Sequence, residues 1–257
     1  MTAMIDKNNR AGESGNVLFL ILIAVALFAA LSYAVTQSTR SGSGDASGET
    51  NLINSAQLAQ YPAGVRTAVV RMIIGGTAVE SLGFDAPSEF DTVSDLDYNV
   101  FHPTGGGAVF QNAPQDVLAS QSGVDPADKG KWIFSSQYQI DGIGATDNAA
   151  SGSYANDIIA FLPGVAQNVC KKLNDEVGIT ASTDDKIPES VGITVVPTPA
   201  EGMTEDAPGT QGIPTGAPTA TIAGDLVGQP FGCFRIGAAS ATPANKTFVY
   251  YHVLVER

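Results

Sequence analysis

The stretch Val17 to Val35, VLFLILIAVALFAALSYAV, holds nineteen consecutive residues without a charge, and only Ser32 and Tyr33 carry side-chain polar groups. As an α-helix it would be roughly 28 Å long, which matches the hydrocarbon thickness of a bilayer. A helix that is apolar on every side for five turns has no solvated face to turn away from a soluble core. The run therefore predicts a transmembrane helix. A secretory signal peptide is the competing reading, with Ser32-Tyr33-Ala34 as a cleavage tripeptide. Against it, residues 1–16 hold Lys7 and Arg10 but also Asp6 and Glu13, so the leader lacks the net basic charge of a signal n-region. A retained anchor is expected.

Cations set the orientation of such a span, and acids contribute little. Lys7 and Arg10 precede it and Arg40 follows it, which points to a cytoplasmic N-terminus. Of a formal net charge of -13, all belongs to residues 36–257, where 11 cations face 24 acids once Lys7, Arg10, Asp6 and Glu13 are set aside. That balance argues against nucleic acid as a partner, because phosphate binding needs clustered cations and the chain offers only short pairs such as Lys171-Lys172. Gly 28 and Pro 14 among 257 residues imply many turns and argue against a coiled coil or an all-helical bundle.

The leader Ala11-Gly12-Glu13-Ser14-Gly15-Asn16, running directly into the apolar helix, resembles the N-terminus of type IV pilins and pseudopilins. The resemblance implies cleavage by a prepilin peptidase after a glycine. Gly12, Glu13, Gly15 and Asn16 are the processing candidates. A cut after Gly12 makes Glu13 the first mature residue and Val17 the fifth; a cut after Gly15 makes them Asn16 and Leu20. Neither frame carries the family's Glu at the fifth position. The resemblance further implies a bacterial inner-membrane protein without enzymatic activity, whose partners are membrane lipid and copies of itself or related pilin-like subunits. Its C-terminal domain would be periplasmic or extracellular. The alternative function is an exported enzyme or ligand-binding domain that uses the segment only as a signal peptide or a simple anchor.

The organisation expected downstream is a cytoplasmic leader at 1–16, the span at 17–35, a flexible Ser/Gly linker at 36–49 that ends or interrupts the anchor helix, and a domain at 50–257. Within the domain, Leu58, Tyr61, Val65, Val69 and Met72 recur every three or four residues and predict a helix stopped at Gly75-Gly76, with Pro62 kinking it or starting its second half. Arg66 and Arg71 lie off that apolar stripe. Trp132 to Ile140 reads as a strand followed by an Asp141-Gly142 turn. After the apolar run Ile158 to Leu162, Pro163 suits the start of a second helix carrying Val165, Val169 and Leu173 and closed by Gly178. A Pro-rich loop is expected at about 184–228. The C-terminal TFVYYHVLV, Thr247 to Val255, reads as a strand buried on both faces, paired with Gly232 to Ile236 or with the Trp132 strand. The fold class that unites these pieces is α+β, a small domain with helices laid on an antiparallel sheet.

Cys170 and Cys233 are the two cysteines, and in an extracytoplasmic acidic domain they most simply pair as one disulfide. Two free buried thiols, a metal site and a catalytic thiol are the alternatives. Pilins and some pseudopilins resemble this chain in stapling a C-terminal region in the same way. No catalytic residues stand out: G-x-S-x-G, H-E-x-x-H and P-loop motifs do not occur. His252 alternates with its neighbours on the last strand as a structural histidine would, and His102 precedes Pro103 in a loop. No cofactor is expected. Asp91, Asp95 and Asp97 are weak calcium candidates, since oxygen-rich loops suit a hard cation, although they do not match EF-hand spacing.

Overall fold

A computed structural model describes residues 14–120, 123–145, 156–181, 186–190, 193, 220–222, 224–236 and 246–257. The chain divides into two compact units, Met1–Thr50 and Asn51–Arg257, and each is described by itself.

The first unit is helical from Ser14 onward and belongs to helix α1, Ser14–Ile74. The helix is unbroken through 36–49, so these residues neither end nor interrupt it as the Ser/Gly composition predicts. Propagation explains the difference. Each glycine there costs about 1 kcal/mol relative to alanine, but strong helix formers on both sides have already met the larger cost of nucleation.

The second unit is α+β. Its part of α1 buries Leu58, Val65, Val69 and Met72 of the stripe expected from spacing, with Tyr61 partly buried against the same core and Ala68 buried in addition, and Pro62 sits inside the helix without starting a new one. Gly76, at φ +100°, follows the last turn. Four one-turn 3-10 segments, Val79–Ser81, Pro87–Glu89, Leu96–Tyr98 and Gln115–Val117, carry the chain through the irregular region. Strand β1, Ile133–Ile140, is followed by β2, Asp157–Pro163, and helix α2, Gln167–Val177. Then come β3, Ala220–Ile222, β4, Phe231–Ile236, and β5, Thr247–Val255.

The five strands form one sheet in the order β3-β1-β2-β5-β4. It is mixed rather than antiparallel throughout, because β3 runs parallel to β1, with Tyr138 opposite Ala220. Strand β3 lies at the end of the region expected to be a Pro-rich loop; most of the rest of that region is outside the described residues. The second helix also differs from expectation. Pro163 is the last residue of β2, paired with Val249, and α2 begins only at Gln167. Proline is tolerated at a strand end, and Gly164, at φ +84°, turns the chain between the two elements. Val165 therefore bridges to Leu118 instead of joining the helix face. Gly178 closes α2 in a left-handed conformation, φ 77°, as the sequence predicts.

Strand β5 is buried on both faces and pairs with β4 on one side and β2 on the other; the Trp132 strand is one position further away. Alternate residues sort into two cores. Phe248, Tyr250 and Leu254 join Leu58, Val65 and Val69 of α1 and Val169 and Leu173 of α2, while Val249, Tyr251 and Val253 pack with Ile159, Phe161 and Phe234 on the opposite face.

Candidate functional site

The apolar helix, the cysteine pair and the two histidines are the candidates for function. Val17–Ala34 is the one helix among the described residues long and apolar enough to cross a membrane, and none of it is buried. Its large side chains stand outward on every side, for example Leu27 at 66% and Phe28 at 73% exposure. Burying each would be worth about 1.5–3 kcal/mol, so the segment as a whole has an unmet demand on the order of tens of kcal/mol. Such length and composition suit a membrane anchor or a signal sequence. Of the processing candidates, Gly12 and Glu13 lie outside the described residues, and Gly15 and Asn16 fall in the first turn of α1.

Cys170 on α2 and Cys233 on β4 are joined, with an S–S distance of 1.97 Å and Cα atoms 5.5 Å apart. Both are fully buried, so neither acts as a free thiol or a metal ligand. The junction has a second tie that the sequence did not announce. Asn174, one turn beyond Cys170, donates through Nδ2 to the Cys233 carbonyl at 2.9 Å and accepts from the Cys233 N–H through Oδ1, also at 2.9 Å. Its amide thus takes the place of a neighbouring strand at the edge of β4. The burial of Asn174, a polar residue between Leu173 and the helix end, is visible only once α2 lies on the sheet.

Asp91, Asp95 and Asp97 are exposed, and Asp95 Oδ2 accepts from the neighbouring Ser94 hydroxyl at 3.3 Å. Among the described residues, no group of three or more His, Cys, Asp or Glu is placed to hold a metal ion, the three aspartates included.

The histidines occupy different settings. His102 is half-buried in the loop ahead of the triple glycine, its Nδ1 2.8 Å from the Thr104 hydroxyl and its ring edge-on to Phe90. His252 is buried in β5, where its Nδ1 lies 2.9 Å from the Tyr250 hydroxyl and its ring stacks on Phe231 at 5.4 Å. Burial, with the Arg66 guanidinium as a second cause, pushes its pKa down to about 4. The imidazole is therefore neutral at physiological pH. Burial likewise raises the Tyr61 hydroxyl to about 12 and holds Tyr250 well above the ordinary phenol range.

The chain matches no protein-family model, no curated protein and no solved structure.

Proposed function

We propose that this chain is a single-pass membrane protein of the bacterial inner membrane, with a cytoplasmic N-terminus and an acidic extracytoplasmic α+β domain, serving as a pilin-like or pseudopilin-like structural subunit. The observation that carries the reading is the fully exposed apolar segment Val17–Ala34, which demands lipid or partner helices. The buried disulfide supports an oxidising compartment for the domain. The work of such a subunit is associative. Its apolar helix partitions into lipid and packs against copies of itself or related subunits, and the stapled domain presents loops to partners. No chemical step is assigned to it.

Mass spectrometry of the mature N-terminus, combined with an alkaline wash of isolated membranes, tests the proposal. A start at Glu13 or Asn16 in washed membranes is the expected result. An intact leader in the membrane would retain the anchor and remove the pilin-like processing. Soluble protein starting near Val35 would overturn the proposal in favour of an exported enzyme or binding domain with a signal peptide.

A further inference from the structure

Strand β5 places its even-numbered side chains toward the helices: Phe248, Tyr250 and Leu254 share a core with Leu58, Val65 and Val69 of α1. His252 falls between Tyr250 and Leu254 in that alternation, so the one imidazole in the strand occupies the seam between sheet and helix. Among the described residues, its neighbours in the sheet include no carboxylate to receive a charge. On β2 the residue opposite is Ala160, on β4 it is Phe231, and on β5 the hydroxyl of Tyr250 meets Nδ1. From α1 comes a cation. Arg66 donates through Nη1 to the Val253 carbonyl at 3.3 Å and pairs through Nη2 with Glu256 at 3.0 Å, which leaves Glu256 already engaged and partly in solvent.

We infer that His252 and Arg66 form an acid-sensitive latch between residues 51–74 of α1 and the sheet, closed while the imidazole is neutral and loosened when it takes a proton. A proton on His252 creates a buried cation one residue from the Val253 carbonyl that Arg66 holds, and the only charge that α1 brings there, the half-exposed Arg66 guanidinium, is of the same sign. With both ring nitrogens protonated, Nδ1 can only donate to the Tyr250 hydroxyl, so the phenolic proton has to point elsewhere. Separating α1 from β5 relieves both. The depressed pKa agrees in sign with this arrangement. A group whose folded pKa lies below its unfolded value contributes stability in full above the unfolded value, near 6.5, and loses it as pH falls toward about 4. The latch is independent of the membrane reading, since all its members lie within 51–257.

The test uses the full chain in detergent or nanodiscs, with amide exchange across 58–72 corrected for intrinsic rates and histidine-labelled NMR. Protection of these amides is expected to fall on the order of a hundredfold between pH 7 and pH 4. In His252→Gln, which keeps a partner for Tyr250 but cannot titrate, most of that fall should vanish; His102→Asn, altering the other histidine, should leave it intact. The His252 resonance should titrate near pH 4 in the native chain and move upward in Arg66→Gln. An equal loss of protection in His252→Gln would overturn the latch. So would a native His252 midpoint near 6.5, which is read on the unaltered protein and decides the matter if the variants do not fold.

Discussion

Asn174 illustrates how much one side chain can carry at this scale. Its amide satisfies both main-chain groups of Cys233, and each left unpaired in the interior costs about 1–3 kcal/mol. Asn174→Ala is therefore expected to destabilise the domain by about 2–4 kcal/mol in a denaturant titration at constant m-value. Asn174→Asp should be nearly as damaging, because a carboxylate cannot donate to the carbonyl. Glycines give a matched contrast. A Cβ at Gly106 would lie 2.3 Å from the Val100 carbonyl oxygen and 2.9 Å from Met72 Sδ, on a loop whose Gly106 carbonyl also accepts from Arg71. A Cβ at Gly64, inside α1, would meet nothing within 4 Å. Gly106→Ala should destabilise the domain by about 1–3 kcal/mol through overpacking and so lower the thermal midpoint, and Gly64→Ala should stabilise it by about 0.5–1 kcal/mol and raise the midpoint. Neither Asn174 nor Gly106 was legible beforehand, since their partners are 59 residues away at Cys233 and on a separate helix at Met72.

At the scale of elements, local pattern was informative where one period held throughout. The α1 stripe and the aromatic, β-branched run of β5 were both read from the sequence with correct identities. In β1 the alternation was only partial, and the register shows why. Pairing with β2 is irregular between Ser135 and Tyr138, so Ile133 and Tyr138 face one core although their numbers differ in parity. The β2–α2 corner was misread because proline serves a strand end as readily as a helix start. The edge strand β4 is protected from unwanted pairing: Asn174 covers Cys233, and on the same edge Arg235 N–H donates to the Pro188 carbonyl at 2.8 Å while its carbonyl accepts from Ser190 N–H at 2.9 Å. The disulfide reinforces this corner by closing a span of 63 residues. Replacing both cysteines by serine is expected to cost about 2–4 kcal/mol in denaturant, with reduction of the native protein shifting the midpoint in the same direction.

For the whole molecule, the exposed apolar segment dominates. Each arginine at the centre of such a span opposes insertion by about 2.5–3.5 kcal/mol, so Leu22→Arg combined with Leu27→Arg should move the chain out of the alkaline-washed membrane fraction, while the same pair of leucines changed to isoleucine should not. Composition and local periodicity alone determined the apolar rod, the acidic remainder, the first stripe, the last strand and the partnership of Cys170 with Cys233, because each depends on neighbours in the chain or on residue type. Tertiary structure alone decided that β3 joins the sheet in parallel, that α2 starts after Gly164, that Asn174 completes the edge of β4, and that Arg66 reaches the Val253 carbonyl next to His252. These follow from contacts between segments tens to nearly two hundred residues apart, where burial and hydrogen-bond satisfaction outweigh any local preference.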